Sequence, residues 1–215
     1  MKKVLLIVDV QNDFCPGGSL ACPDGDRIIP VINRLMEEKD WDLIVATQDW
    51  HPRGHCSFAS SYGVEPFTVP EDYGDMVWPD HCVAHSEGAE LRGSLNQSKI
   101  NMIIRKGLDP DVDSYSAFAD NKGNNPTALT DVIQGSEDYV SLYVCGIATD
   151  VCVKHTVFDA QGVAYLDNTD ITLITDACAG VSEEGHLKAI GEMMNDHILI
   201  LASDSDALDE QLKRK

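Results

Sequence analysis

YVSLYVCGIATDVCVKHTVF, residues 139–158, decides the fold because its two halves obey different periods. The first half gathers Val140, Leu142, Tyr143, Val144 and Ile147, a short apolar and β-branched run that suits a buried strand. After Ala148-Thr149-Asp150 the spacing changes, and Val153, Val157 and Ala160 recur at helical intervals. Thr149 or Asp150 is expected to cap that helix, since a short oxygen side chain satisfies the free amides of a first turn. Cys152 then falls in the first turn of a helix that follows a strand. The partial positive charge at such a place favours thiolate over thiol, and the free amides can hold a developing oxyanion. Taken alone, the stretch fits a small buried Cys at a helix start slightly better than a nucleophile.

Outward from this unit, strands and helices alternate. Val4 to Val10 is an apolar run interrupted by Asp9 and reads as a buried parallel strand. A turn-rich loop, Gln11 to Gly18, follows it. Ile28 to Lys39 reads as a helix with Ile28, Ile32, Leu35 and Met36 on one face and Pro30 in its first turn. Leu43 to Thr47 and Met102 to Arg105 read as further strands, separated by a long irregular region that begins at Gln48. Loops that long in a compact domain are usually functional. Ala89 to Leu95 is expected to form a short helix, and Asn125-Pro126 to open another that runs to Ile133. Ile171 to Thr175 and Ile198 to Leu201 are the last strands, with a Ser182 to Asn195 helix between them. A weak terminal helix with a basic end is expected over Ser205 to Lys215. Six strands alternating with helices imply an α/β fold, three layers deep, with a mainly parallel sheet covered on both faces.

No linker, repeat or composition shift divides the 215 residues, so one domain over 1–215 is expected. The net charge of −20 at pH 7 argues against nucleic acid or an anionic membrane as partner. No run of about 18 apolar residues suits a spanning helix. The start, Met1-Lys2-Lys3 followed by VLLIVDV, is too short and too soon charged for a signal peptide. Seven cysteines, scattered and odd in number, point to reduced thiols and a cytoplasmic protein. Cys15, Cys22, Cys56, Cys82, Cys145 and Cys178 show no CxxC spacing and read as ordinary thiols.

In parallel sheets, ligands bind beyond the carboxyl ends of the strands. Asp9, Asp49, Lys106 and Cys152 all lie at or just past expected strand ends, so they should gather on one rim. A carboxylate buried at Asp9 has its pKa raised, nearer to what a general base needs, and Lys106 can pair with it. A strand-end hydrogen bond at Asp9 and a solvated charge at Lys106 are about as expected when each is taken singly. Their joint placement favours the active role, because one buried unpaired charge is costly. Asp49-Trp50-His51 puts two ligand-type side chains on one side of an extended segment, and His55 and His81 follow in the same loop region. Three imidazoles and a carboxylate suit one divalent ion, zinc first, with iron or manganese as alternatives. Surface histidines with Asp49 capping a turn is the plainer reading. Their clustering after one strand, flanked by aromatic residues, weighs against it. His85, His155, His186 and His197 have no such grouping.

VDVQNDFCPGGSL, QDWHPRGHCSF, WPDHCV, RKGLDPDVDSYSAF and CGIATDVCV, taken together and in this order, resemble the motifs of bacterial nicotinamidases within the isochorismatase-like cysteine hydrolases. The resemblance implies a triad of Cys152, Asp9 and Lys106, and metal ligands at Asp49, His51, His55 and His81. It implies an oxyanion hole from the amides of Ala148 and Cys152, a cis peptide before Ala148, and a strand order of 3-2-1-4-5-6. Phe14, Trp78 and Tyr115 match positions that enclose the pyridine ring. The implied reaction is hydrolysis of nicotinamide to nicotinate and ammonia through a thioester, with pyrazinamide as an analogue substrate. The implied partner is this small molecule, and self-association stays open. Relatives without the metal site act on isochorismate or on carbamoyl and ureido amides. A sister amidase and a non-catalytic metal-binding domain are the rival readings, while no GxGxxG or CxxC supports a redox enzyme.

Overall fold

A computed structural model describes residues 1–136, 139–164 and 169–213. Strands β1 (Lys2–Val8), β2 (Leu43–Asp49), β3 (Met102–Lys106), β4 (Val140–Ile147), β5 (Thr169–Ala179) and β6 (Leu199–Leu201) form one parallel sheet in the order β3-β2-β1-β4-β5-β6. The helices are α1 (Ile29–Glu38), α2 (Ala128–Gln134), α3 (Lys154–Ala164), α4 (Glu183–Asn195) and α5 (Asp206–Leu212). Every residue of β4 is buried, which accounts for its continuous apolar run. From β1 the chain steps outward to β2 on one side, and from β4 it steps to β5 on the other. Right-handed crossovers in opposite directions put α1 and α3 on opposite faces. Side-chain contacts agree: Lys39 of α1 pairs with Asp209 of α5, and Lys154 of α3 pairs with Glu192 of α4. The direction reverses between β1 and β4, and a crevice opens there at the strand ends.

The elements follow local chemistry, with corrections to the sequence reading. α1 buries Ile29, Ile32, Leu35 and Met36 and carries Pro in its first turn. Ser182 caps α4, its Oγ accepting from Gly185 N at 3.0 Å. The helix expected to open at Asn125-Pro126 starts later. Thr127 Oγ1 accepts from Leu129 N at 3.1 Å and caps α2, while Asn125 Nδ2 donates to Asp120. Ala89 to Leu95 is not helical. Leu91 bridges Gln11 in antiparallel fashion, and Ala89 O accepts from the side chains of Gln11 and Gln48, so these long-range bonds replace helical ones. β5 runs past its expected apolar centre to Ala179, because Cys178 and Ala179 pair with Gly146 and Ile147 after a register shift. The terminal helix is present as α5, and the basic Arg214 and Lys215 lie outside the described residues. Among the described residues no helix is long and apolar enough to cross a membrane.

Candidate active site

Four adjacent strand ends supply the charged groups. Asp49 and Lys106 are register partners at the ends of β2 and β3. Asp9 follows β1 in the left-handed region, φ +50°, which Asp tolerates better than most residues. Thr47 fixes it there: Asp9 N donates to Thr47 Oγ1 at 3.1 Å, and that hydroxyl donates to Asp9 Oδ1 at 2.5 Å. Lys106 reaches over the end of β2, so the strand between it and Asp9 is no obstacle. Its ammonium donates to Asp49 Oδ1 at 2.5 Å, Ser114 O at 2.9 Å and Cys152 Sγ at 3.5 Å. It also lies 2.9 Å from Asp9 Oδ2, an ion contact off the hydrogen-bond angle. Asp9 Oδ2 has this ion contact but no other hydrogen-bond donor.

Cys152 sits in a π-helical turn, Thr149–Val153, between β4 and α3. The Ile147–Ala148 peptide before it is cis. Neither Thr149 nor Asp150 caps the turn, contrary to expectation. Thr149 Oγ1 instead pairs with His186 Nδ1 at 2.8 Å, and Asp150 Oδ1 accepts from Val181 N at 2.9 Å. Both side chains tie the turn to the start of α4. Gly146 beneath it has φ +123°, and a Cβ there would lie 2.1 Å from Val8 O, so glycine alone lets β4 press against β1 at this point. A second correction concerns charge. Burial pushes the Cys152 thiol well up, against the lowering pull of Lys106. The helix-start position does not by itself yield a resting thiolate. Burial also raises Asp9, more than Lys106 lowers it. Asp49 differs: burial works to raise it, but Lys106 and His51 hold it well below the usual carboxylate range.

Beside this cluster stand the imidazoles. His51 Nδ1 lies 3.0 Å from Gly107 O, His81 Nδ1 2.7 Å from Pro79 O, and His55 Nδ1 2.8 Å from Ser57 Oγ. At His51 and His81 the carbonyl acceptor puts the proton on Nδ1 and leaves Nε2 to ligate, the arrangement of metal-ligating histidines, whereas His55 Nδ1 also accepts from Ser57 N at 3.2 Å. Nε2 of His51 and of His55 are buried without a hydrogen-bond partner, and that of His51 lies 3.6 Å from Asp49 Oδ2. Asp49, His51 and His81 bring ligand atoms within 4.8 Å of one another, and so do His51, His55 and Asp113. The structure thus groups His55 with His51 and Asp113, and His81 with His51 and Asp49. Buried imidazole nitrogens grouped with carboxylates fit one divalent ion. Burial, reinforced by His51, holds His55 and His81 down to about 4, so both are neutral and ready to ligate.

A pocket opens over these groups. Phe14, Trp78, Tyr115, Leu20 and Val151 wall it, and Asp49, His81, Ala148 and Cys152 line it together with Asp113. The Trp78 indole N–H points to the Tyr115 hydroxyl at 3.4 Å, and Phe14 packs on His81 with ring centroids 5.5 Å apart. Three residues were missed in the sequence. Thr47 fixes Asp9. Gln11 clamps Asp49 by accepting from its N–H and donating to its carbonyl, both at 2.8 Å. Asp113 is buried beside the histidines, and burial raises its carboxyl against the pull of His51. Gln11 and Asp113 lie inside motifs quoted above, while Thr47 carried no signal beyond its place at the end of an apolar strand.

Comparison with known proteins is consistent with this arrangement. The isochorismatase domain model matches residues 3–204. The nicotinamidase of Escherichia coli is 48% identical over 187 residues, 84% of each chain. A nicotinamidase/pyrazinamidase structure from Acinetobacter baumannii superposes with a TM-score of 0.84 at 40% identity, covering 94% of this chain and 96% of that one. The pyrazinamidase of Pyrococcus horikoshii, solved in complex with zinc, superposes at 0.74 with 36% identity, covering 94% and 99%. With a cysteine at the β4 switch point, a buried Asp and Lys beside it and the family model matched over nearly the whole chain, the chain belongs to the isochorismatase domain family.

Proposed function

We propose that this chain hydrolyses nicotinamide to nicotinate and ammonia, with Cys152 as nucleophile and Asp9 as proton carrier. One observation carries the assignment of roles. Asp9 Oδ2 is the carboxylate oxygen without an aligned donor, and it lies in a cluster whose Lys106 also touches Cys152 Sγ. It is the acceptor for the thiol proton.

The substrate carboxamide lies against Cys152, with its ring between Phe14, Trp78 and Tyr115. Asp9 takes the Cys152 proton as sulfur attacks the carboxamide carbon, and Lys106 offsets the charge that develops on sulfur. The amides of Ala148 and Cys152 receive the oxyanion. On collapse the C–N bond breaks, and Asp9 gives its proton to the departing ammonia. Asp9 then takes a proton from the water that attacks the thioester, releases nicotinate and returns the proton to sulfur. Asp49, His51, His55 and His81 would hold a divalent ion, which supplies a Lewis-acid contact for a pyridine nitrogen. Zinc is the ion we assign, supported by the N/O donor set and by the zinc complex of the P. horikoshii relative. Seven unpaired cysteines support action in the reducing cytoplasm.

The test is ammonia release from nicotinamide by metal-replete protein, with Cys152→Ala alongside. Wild type should release ammonia and the variant none, while the variant still binds nicotinamide in a calorimetric titration. Turnover by the variant would remove Cys152 as nucleophile. Silence from both, with release from a ureido or carbamoyl amide by wild type, would move the substrate to a sister class.

A further inference from the structure

We propose that Asp113 is a second carboxylate of the metal centre, holding the ion from the side of His51 and His55. The inference rests on the metal-centre reading above and extends it to a residue outside the four-ligand set.

Three observations support it. First, position: a ligand oxygen of Asp113 lies within 4.8 Å of the ligand atoms of His51 and His55, and the Nε2 atoms of both rings are buried without a hydrogen-bond partner, that of His51 lying 3.6 Å from Asp49 Oδ2. His51 Nδ1 is taken by Gly107 O, which leaves its Nε2 as the ligand position, while His55 Nδ1 contacts Ser57 Oγ and accepts from Ser57 N at 3.2 Å. Second, anchoring: Asp113 Oδ1 accepts from Ser114 N at 2.8 Å, and Asp113 O accepts from Asn121 N at 2.8 Å, so the side chain is held in place. Ser114 O in turn accepts from Lys106, which ties this loop to the nucleophile cluster. Third, charge: Asp9 and Asp49 both contact the Lys106 ammonium, while Asp113 is buried as they are. Among the described residues no Lys or Arg forms an ion pair with Asp113. A buried carboxylate without a cation is costly, and a dication beside His51 cancels the excess. The two ligand groups share His51, the residue through which an ion held by one group is brought beside the other.

The consequence is a centre with two anionic groups instead of one, binding its dication more tightly and making it a weaker Lewis acid. The test is zinc affinity by competition with a chromophoric chelator, on wild type, Asp113→Asn, Asp111→Asn and His51→Ala. Asp113→Asn should weaken zinc about 10- to 100-fold. Exposed Asp111, in the same loop, should leave it unchanged. Asp113→Asn within twofold of wild type, with His51→Ala stripped of zinc, overturns the proposal and leaves the metal centre standing. Unchanged affinity in both variants removes the metal centre, and the proposal with it. Should Asp113→Asn not fold, a crystal of zinc-loaded wild type reads the same question. An Asp113 oxygen bound to zinc, or to a water that zinc holds, supports the proposal, and a carboxylate turned away overturns it.

Discussion

Thr47 shows how much one hydroxyl does here. It is fully buried, accepts from the Asp9 amide and donates to the Asp9 carboxylate. Asp9 sits in a backbone region that non-glycine residues avoid, so its side-chain direction depends on such restraints. Thr47→Val keeps the shape and removes both bonds. The unmet buried amide should cost about 1–3 kcal/mol of stability, read from the urea midpoint. Turnover should fall with the Michaelis constant for nicotinamide little changed, because ring contacts from Phe14, Trp78 and Tyr115 stay. An unchanged turnover number would show that Lys106 alone holds Asp9. The other residue-scale device is Gly107, φ +66°, where a Cβ would lie 2.3 Å from His51 Cε1. That close approach sets the carbonyl that fixes the His51 tautomer.

At the scale of elements, the sheet positions and the turns aim. Each reactive side chain lies at a strand end or within five residues of one, and parallel register brings those ends together. α4 plays a supporting part. Its start receives the Thr149 and Asp150 side chains, and Gly185 packs so closely on the Asp150 carboxylate that a Cβ there would lie 2.1 Å from Oδ2. Ser182 caps that helix without touching the pocket. Ser182→Ala should therefore cost about 0.5–2 kcal/mol of stability, measured by thermal or chemical unfolding. Its kcat/KM should stay within about twofold. A large loss of kcat at ordinary stability would mean that the cap also sets the Cys152 turn. The strand-then-helix period change was legible in residues 139–158, as were α1 and α4. The π-turn was not, because its side-chain bonds run to His186 of α4 and to Val181 just before that helix, which no local period reports.

For the whole molecule, burial of charge decides how it answers to pH. In metal-free protein His55 and His81 are held at about 4, below the unfolded value of 6.5, chiefly by burial. The unfolded chain then binds more protons between those values, so stability rises with pH there. Metal-free protein should be at full strength in this respect above about 6.5 and lose stability as pH falls toward 4. The loss is at most about 3 kcal/mol for each imidazole. Denaturant midpoints after chelator treatment check this, at several pH values in wild type and in a His55→Asn/His81→Asn variant. His51, which burial lowers but Asp49 raises above its ordinary value, contributes with the opposite sign in both proteins. The difference between them therefore isolates these two rings, and equal pH slopes would contradict their buried placement. The sequence by itself determined the alternation of strands and helices, because burial on both sheet faces leaves continuous apolar runs. It also determined that Asp9, Asp49, Lys106 and Cys152 share one rim, because parallel strands all end on the same side. Only the tertiary structure decided which partners each group has there. Lys106 contacts Asp49, Ser114, Cys152 and Asp9, the Cys152 thiol is raised and not lowered, and Asp113 stands with His55. Those outcomes depend on distances between residues far apart in the chain and on how completely packing removes water, neither of which a local pattern encodes.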